Sequence, residues 1–380
     1  MRISRIDLYL LNIPLNSPLR FETVPYSPNV QEWPELQTVL VCLWSGDICG
    51  WGEAAPGNGP FWTAEWSAGA YRVLRDWISP LVLHKEFNAS SELAECLAII
   101  RGHRAAKAAL DIAFWDLKSR IEGRPLYAAL GGTNRELPLG TIIDRPNCPD
   151  LERFVQAVAD AFQKGFSRVA VKIRPGLDLQ LLNVLRHEFP VADIHGDLEG
   201  ALNLGQMEII YRFDDFNLRM LEQPLSADDL VGHAMVQEAL RTPICLDESI
   251  TTPAQADMAL ELHSAKYFNL NPVRVGGLTP ALAIHQAAHE HCVPCYLGMY
   301  PQTAVGTRAA LALGTLSNFC YPADYWGPNL LAEDVGEPVT LERDSEDGKI
   351  RAKLWENPGL GITPDPKQFR QWILEEAHLD

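Results

Sequence analysis

From about residue 165 onward, short runs of β-branched and other apolar residues alternate with longer stretches of helical periodicity. Each run ends in polar residues before the next helical stretch begins. The runs are RVAVKIRPG, ADIHGDLEG, LRMLEQPL, TPICLDES, YFNLNPVRVGG, CVPCYLGM and NFCYPADYW. The pattern predicts that strands and helices alternate through this part of the chain.

The polar residues at the ends of these runs recur at a nearly constant interval. Spacings of 25, 25, 25 and 24 residues separate Lys172, Asp197, Glu222, Asp247 and Asn271. A parallel strand needs a crossover helix before its neighbour, so repeated units of this length predict a (β/α)8 TIM barrel. In such a barrel these five side chains meet at one mouth, where the carboxyl ends of the strands lie.

Two further segments complete the predicted barrel. LPLGTIIDRP, residues 137–146, supplies the first strand, and NFCYPADYW, residues 318–326, supplies the eighth. The competing architecture is a doubly wound open sheet, which usually carries a glycine-rich phosphate loop. The chain has no G-x-G-x-x-G pattern of that kind, so we favour the barrel.

The chain divides into three predicted parts. Residues 1–125 predict an α+β domain, with a hairpin turning at SGD and a long amphipathic helix ending near Gly123. Residues 126–335 form the barrel. Residues 336–380, which include the predicted helix PKQFRQWILEEA, are too few to fold alone. We expect them to pack back on the first domain.

Composition narrows the class of protein. Of the 380 residues, 47% are hydrophobic and 21% charged, as in a globular protein. The net charge of −17 would repel nucleic acid and anionic membrane surfaces, so we expect neither as a partner. The sequence shows no secretory leader or long apolar span, and its 8 cysteines have no disulfide spacing. We therefore expect a cytoplasmic protein. HEHCVPC, residues 289–295, has His and Cys side chains close together, as a metal site does. We interpret it instead as leading into a buried strand.

Three carboxylates are expected at the barrel mouth. Asp197, Glu222 and Asp247 end three successive strands, and unpaired carboxylates held together repel one another and take up protons. Such a group indicates a hard cation, and oxygen ligands without His or Cys favour Mg²⁺ or Mn²⁺. The alternative is that each acid is paired with a lysine or arginine.

Lys172 ends the strand before Asp197, where its ammonium group would reach a substrate held on the cation. A lysine that is near a metal and partly desolvated loses basicity and can serve as a general base. The alternative is a salt bridge from Lys172 to one of the acids. Glu199 is expected as a further ligand or as an acceptor that orients the ligands, and Glu248, beside Asp247, in that supporting role.

Motifs in the same order along nearly the whole chain resemble those of the enolase superfamily. The resemblance is to the mandelate racemase and muconate lactonizing enzyme group, in the branch of o-succinylbenzoate synthase and N-acylamino acid racemase. The motifs are GWGEAAP, RAAKAALDIAFWDLKSRIEGRPLYAALGG, VKIRPG, LEQPL, TPICLDES, NPVRVGGLTPA, TLSNFCYPAD and NPGLGITPD.

The resemblance implies a fold and a metal site. The fold is a modified (β/α)8 TIM barrel with an α+β N-terminal capping domain that the C-terminal segment completes. The site is an essential Mg²⁺ on Asp197, Glu222 and Asp247, which binds the carboxylate of a small substrate and stabilises the enolate formed when the α-proton leaves. The resemblance also implies a homo-oligomer.

The chain departs from the family at positions that carry chemistry. Lys172 falls on the second lysine of the family's Lys-x-Lys motif, but Ala170 replaces the first. Asn271 stands where the family has an opposing lysine on the sixth strand. Gln302 replaces a glutamate on the seventh strand, and Glu199 replaces an asparagine after the third-strand ligand. Asn271 is therefore expected to face the substrate as a neutral hydrogen-bond donor opposite Lys172.

These departures favour one reaction over another. A 1,1-proton transfer needs a base on each face of the α-carbon, and Asn271 is not a base. We therefore expect a single-base elimination, by a dehydratase or an enzyme similar to o-succinylbenzoate synthase, in which Lys172 removes the α-proton. Two alternatives stay open: a racemase, epimerase or cycloisomerase whose second base lies elsewhere, for instance in FETVPYSPNV, and a catalytically silent relative that binds metal and carboxylate.

The substrate itself is not readable from the sequence. Its contacts are expected in capping-domain loops near residues 15–30 and 55–62, and at the ends of strands. The residues expected to line it are Tyr300 and Gln302, with Phe61 and Trp62 as a partly aromatic wall and Asp144 and Arg145 on the first strand.

Overall fold

The computed structural model describes residues 1–22, 30–133, 136–144, 150–174 and 179–380. Arg145 lies outside these ranges, as does most of the FETVPYSPNV segment. The chain opens with three antiparallel strands, β1 (Arg5–Glu22), β2 (Val30–Ser45) and β3 (Ile48–Ala54). The hairpin predicted at SGD is confirmed, because β2 and β3 pair around a turn in which Gly46 has a φ of +60°.

Five helices follow this hairpin, with a π-helical turn, Leu74–Ile78, between the first two. They are α1 (Ser67–Val73), α2 (Ser79–Val82), α3 (Ser90–Leu97), α4 (Arg104–Ile121) and α5 (Leu126–Ala129). The long helix predicted to end near Gly123 is α4. It packs so closely on β3 that a Cβ atom at Gly50 or Gly52 would collide with its backbone, which explains the two glycines of GWGE.

Eight short strands form the second, parallel part of the fold. They are β4 (Leu137–Ile143), β5 (Arg168–Lys172), β6 (Ile194–Asp197), β7 (Leu221–Glu222), β8 (Ile244–Leu246), β9 (Tyr267–Leu270), β10 (Cys295–Leu297) and β11 (Ala323–Asp324). Strands β4 to β10 pair in chain order. β11 pairs with β4, and a parallel bridge joins Cys295 to Phe319, just ahead of β11. The strands thus follow one another around a barrel.

Helices connect the barrel strands along the chain. They are α6 (Leu151–Gln163), α7 (Leu179–Glu188), α8 (Met207–Arg212), α9 (Leu230–Ala239), α10 (Pro253–Glu261), α11 (Pro272–Val275), α12 (Leu278–Glu290) and α13 (Ala304–Leu313). Short 3₁₀ turns, Leu204–Gln206 and Phe213–Phe216, flank α8. From β11 to residue 380, where every residue is described, there is no α-helix, so the barrel lacks its eighth helix. None of the described helices is long and apolar enough to cross a membrane.

The C-terminal segment is made of strands, which corrects one expectation from the sequence. It contains β12 (Leu341–Arg343), β13 (Ile350–Ala352), a 3₁₀ turn (Arg370–Trp372) and β14 (Ile373–Leu379). The helix predicted over PKQFRQWILEEA was wrong. β14 pairs with β1 and extends the first sheet to the order β14-β1-β2-β3. The unpaired edge of β1 offers backbone hydrogen bonds that outweigh the helical propensity of ILEEA.

The fold predicted from the sequence is confirmed in its outline. An α+β domain, completed by β14, lies against a modified (β/α)8 barrel. The two parts share a largely continuous core, because one cluster of buried residues includes Tyr9 and Trp51 of the first sheet together with Leu139 and Val169 of the barrel. This packing places the capping domain over the carboxyl ends of the barrel strands.

Candidate active site

The barrel brings the predicted polar residues together at one end. Lys172 ends β5, Asp197 ends β6 and Glu222 ends β7, and the strand register sets Lys172 beside Asp197 and Asp197 beside Glu222. Asp247 follows β8, and Asn271 follows β9. All five line a cavity of about 280 Å³, together with Glu199, Glu248 and Tyr300. The regularly spaced residues therefore line one cavity.

Lys172 is embedded among acids. Its Nζ lies 3.2 Å from Asp197 Oδ2 and also contacts Glu199 Oε1. Burial alone would lower the pKa of Lys172, but Asp197, Glu199 and Asp144 raise it well above its ordinary value. The sequence-based expectation of a lowered pKa is not met by the protein's own groups. These groups hold Lys172 protonated, and the salt bridge considered as an alternative is present.

Glu222 is held by side chains from three barrel strands, two of which donate hydrogen bonds to it. Asn269 Nδ2 donates to Oε1 at 2.8 Å, Tyr296 OH donates to Oε2 at 2.6 Å, and His195 Nε2 lies 3.0 Å from Oε2. Burial would raise the pKa of Glu222, but His195, Tyr296 and Asn269 bring it to about 2. The carboxylate is therefore ionised and fixed in orientation. Sequence reasoning missed these three residues, because each stands in an apolar-looking strand.

Asp247 is paired with an arginine that sequence reasoning also missed. Arg274 forms an ion pair with Asp247 and donates to the carbonyl oxygens of Asn269, at 2.7 Å, and Ile250, at 3.3 Å. Burial raises the pKa of Asp247 well above its ordinary value, although Arg274 opposes this. Arg274 lies in the NPVRVGG run, but a lone arginine after a strand gives no signal of which acid it will meet.

The donor set fits a hard divalent cation. Among the described residues, no group of three His, Cys, Asp or Glu side chains is already gathered around a metal position. The carboxylates nevertheless stand on adjacent strands and offer oxygen only, as Mg²⁺ prefers. Glu248 adds a buried Oε2 atom that has no hydrogen-bond partner within the described chain. A buried carboxylate oxygen without a donor is costly, and a cation would satisfy it.

Asn271 has a local structural task. It is buried, and its Oδ1 accepts a hydrogen bond of 3.0 Å from the backbone N–H of Val273, which caps α11. The residue still lines the cavity, as does Ala170 on β5. The cap therefore gives the asparagine at this strand end a structural role. A lysine at this position would leave that N–H without its side-chain acceptor.

The predicted substrate residues do not all line the active-site cavity. Tyr300 and Trp62 line the cavity with nearly parallel rings whose centroids are 5.9 Å apart. Phe61 also lines it, so the aromatic wall is present. Gln302 lies behind the wall and borders a smaller neighbouring cavity. Its Nε2 is buried and has no hydrogen-bond partner among the described residues. Asp144 lines the main cavity.

The fold and the site define a barrel enzyme of one known group. The model of the enolase C-terminal domain-like family matches residues 153–368, and that of the mandelate racemase and muconate lactonizing enzyme N-terminal domain matches residues 19–131. The chain belongs to the enolase superfamily, in the mandelate racemase and muconate lactonizing enzyme group, and is an enzyme of lyase or isomerase type.

Individual relatives cover almost the whole chain. It is 32% identical to o-succinylbenzoate synthase of Bacillus subtilis, over 99% of this chain and 98% of the relative. It is 35% identical to N-succinylamino acid racemase of Thermus thermophilus, over 95% of each chain. A solved structure of an enolase superfamily member from Listeria innocua superposes with a TM-score of 0.90 at 28% identity, covering 99% of this chain and 98% of that one.

Proposed function

We propose that this chain is a Mg²⁺-dependent lyase that removes a proton α to the carboxylate of a small substrate, with Lys172 as the only base. The observation that carries the proposal is the position of Lys172 relative to Asn271. Strands β5 and β9 are four places apart in a ring of eight, so the two residues face each other across the cavity. Of these two side chains, only that of Lys172 can gain or lose a proton.

The metal would be held by Asp197, Glu222 and Asp247. When bound, it would neutralise the substrate carboxylate and the charge that develops when the α-proton leaves. Removing one ligand leaves an incomplete oxygen shell, while the barrel core remains. Calorimetry of Asp247→Ala with Mg²⁺ should therefore show binding weakened by at least about tenfold in a folded protein. Unchanged binding would contradict this assignment.

The acids around Lys172 determine whether its amine carries a proton and where that proton can go. Without a metal, the acids Asp197, Glu199 and Asp144 raise the pKa of Lys172 and favour its protonated form, so Lys172 must lose a proton before it acts as a base. Glu199 contacts Nζ and its side chain is 37% exposed, which makes it the natural acceptor of that proton on the way to solvent. In a syn elimination, the same lysine then removes the α-proton and passes it to the departing group.

The test is solvent exchange at the α-carbon. The protein is incubated with Mg²⁺ in D₂O with N-acylamino acids and β-hydroxy acids, and NMR follows loss of the α-proton and formation of product. Lys172→Ala should abolish both signals. Lys172→Arg, which keeps a positive charge beside Asp197 and Glu199 but cannot accept a proton, should be equally inactive. Exchange at the wild-type rate in either variant would eliminate Lys172 as the base.

A racemase is the second candidate, and similarity to named N-succinylamino acid racemases favours it. It requires a base opposite Lys172. If the wild-type protein exchanges the α-proton of both enantiomers at similar rates, a second base exists and the single-base elimination is wrong. Asn271→Lys should then add little, whereas under our proposal it would introduce exchange of the second enantiomer.

A further inference from the structure

The aromatic wall of the active-site cavity is built from both parts of the chain. Trp62 follows the capping-domain strand β3, and Tyr300 follows the barrel strand β10. Their ring planes differ by 16° and their centroids are 5.9 Å apart, so the rings stack across the boundary between the two parts. The shape of the cavity on this side therefore depends on how the capping domain lies against the barrel.

Each half of the wall is anchored to its own part of the chain. Trp62 packs against Trp33 of β2, with ring centroids 4.7 Å apart, so it is held by the first sheet. On the barrel side, Trp326 Nε1 donates a hydrogen bond of 2.8 Å to the carbonyl oxygen of Met299, next to Tyr300. The two rings keep their stacking contact only if these two anchored halves stay in place relative to each other.

Glu53 joins the two halves. It lies near the end of β3 and is fully buried. From the first sheet, Thr38 Oγ1 donates to Oε1 at 2.7 Å. From the barrel side, Thr303 donates its N–H to Oε1 at 3.0 Å and its hydroxyl to Oε2 at 2.6 Å, and the N–H of Gly306 donates to Oε2 at 2.8 Å. Thr303 and Gly306 lie at the start of α13, shortly after Tyr300 along the chain.

The surroundings of Glu53 are built to accept its carboxylate. Burial raises the pKa of Glu53, and the donors of Thr303, Thr38 and Gly306 oppose that rise. Gly306 also leaves room for it, because a Cβ atom there would lie 2.8 Å from Glu53 Oε2 and 2.6 Å from Gln302 Oε1. A glycine at this position therefore lets the carboxylate reach the backbone of α13.

We propose that Glu53 is a positioning residue of the active-site cavity, which ties β3 to the start of α13 and thereby holds Trp62 in stacking contact with Tyr300. Glu53 does not line the cavity itself, so it acts through the wall. In Glu53→Gln the side chain has one acceptor oxygen, and its amide group is a donor. At least one of the N–H groups that now donate to Glu53 would lose its partner, and the contact beside the wall would loosen.

The experiment observes Trp62 directly and needs no ligand. The protein is labelled with 5-fluorotryptophan, and the ¹⁹F resonance of Trp62 is identified by its absence in Trp62→Phe. Tyr300→Leu removes the stacked ring and gives the position that this resonance takes without it. In Glu53→Gln the resonance should move from its wild-type position toward the position in Tyr300→Leu. Gly306→Ala, which displaces the carboxylate from the side of α13, should move it in the same direction.

Asp116→Asn is the matched control. Asp116 is also a fully buried carboxylate of the capping domain, and it accepts from the N–H groups of Trp51 at 2.8 Å and Leu360 at 2.6 Å. Neither of these partners belongs to the wall. Urea titrations should show that Asp116→Asn and Glu53→Gln are both folded and both less stable than the wild type. Only Glu53→Gln should move the resonance of Trp62.

Three results would overturn the role of Glu53. The first is a resonance that keeps its wild-type position in both Glu53→Gln and Gly306→Ala, and the second is an equal shift in Asp116→Asn. The third is an unchanged resonance in Tyr300→Leu, which would mean that the two rings do not stack. If Glu53→Gln does not fold, Gly306→Ala decides between these outcomes.

The role of Glu53 and the reaction at Lys172 can fail separately. Lys172 pairs with Asp197 and Glu199, so Lys172→Ala should leave the resonance of Trp62 in its wild-type position. Absence of α-proton exchange in the wild type would remove the proposed lyase and leave the role of Glu53 intact. Exchange that depends on Lys172, with a Trp62 resonance that does not respond to Glu53→Gln or Gly306→Ala, would keep the lyase and remove the positioning role.

Discussion

Glu222 differs from the other two predicted ligands in how its charge is stabilised. Asp197 and Asp247 each face a cation of the protein, whereas Glu222 is bound by Asn269, Tyr296 and His195. Tyr296 also accepts a hydrogen bond of 2.8 Å from Asn269. Groups of this kind around a ligand orient it and commonly change metal affinity when they are removed. Among the three predicted ligands, Glu222 is thus the one whose orientation the protein's own hydrogen bonds fix.

Tyr296→Phe tests this orientation. The variant removes the donor to Oε2 while keeping the ring, so the affinity for Mg²⁺ measured by calorimetry should fall by about tenfold. Tyr321→Phe is the control, because Tyr321 OH donates to Asp193 at 2.6 Å and does not contact Glu222. If both variants bind Mg²⁺ like the wild type, the hydrogen bond from Tyr296 does not position the ligand.

Asn271 combines a cap with a place in the cavity, and the two roles can be separated. Asn271→Ala removes the acceptor for the N–H of Val273 and should lower the free energy of unfolding by about 1 kcal/mol in urea titrations. Asn271→Ser keeps a capping oxygen and should lose much less. Both variants should retain α-proton exchange by Lys172. Loss of exchange in the serine variant at full stability would instead give Asn271 a direct part in the chemistry.

At the scale of elements, the sequence predicts those features that depend only on a residue's place in its own strand. Strand ends such as Asp197 and Glu222 could be predicted because a polar residue that closes an apolar strand marks the mouth of a parallel barrel. The raised pKa of Lys172 could not, because it depends on which acids face it across strands. β14 was missed for a similar reason. Its alternation of partly buried and exposed residues only gains meaning beside the free edge of β1.

A pair of neighbouring substitutions tests the strand β14. Ala377 is partly buried and pairs with Leu8, whereas Glu376, on the other face, is exposed. Ala377→Lys should lower the free energy of unfolding by about 1 to 3 kcal/mol, because it places a charge against the apolar face of the sheet. Glu376→Lys should change it by less than about 0.5 kcal/mol. Equal effects in urea titrations would contradict the two-sided strand.

At the scale of the whole molecule, buried carboxylates of the capping domain join it to the rest of the chain. Glu53 accepts hydrogen bonds from the backbone N–H of Thr303 at 3.0 Å and of Gly306 at 2.8 Å, at the start of α13. Asp116 accepts from the N–H of Leu360 at 2.6 Å. Each of these contacts crosses between parts of the chain that are distant in sequence. They fix the capping domain over the mouth of the active-site cavity.

Asp111 is the third such carboxylate and makes stability depend on pH. It accepts a hydrogen bond of 2.9 Å from the N–H of Thr279, in α12. Burial raises its pKa from 3.8 to about 6, although Thr279 opposes this. A carboxyl group whose pKa is raised on folding stabilises the protein fully below the unfolded value of 3.8. That contribution is lost as the pH rises through about 6.

The size of this contribution follows from the shift, and Asp111→Asn measures it. At about 1.4 kcal/mol for each pKa unit, a rise from 3.8 to about 6 corresponds to roughly 3 kcal/mol between pH 3.8 and pH 7. Asparagine cannot ionise, so the free energy of unfolding of the wild type, relative to Asp111→Asn, should increase as the pH is lowered from 7 to 4. Asp257→Asn, at an exposed position of α10, should show no such trend. The difference in free energy of unfolding between wild type and Asp111→Asn could instead stay constant from pH 4 to pH 7. Asp111 would then not titrate in this range. Its contact with α12 would hold the two domains together independently of its charge.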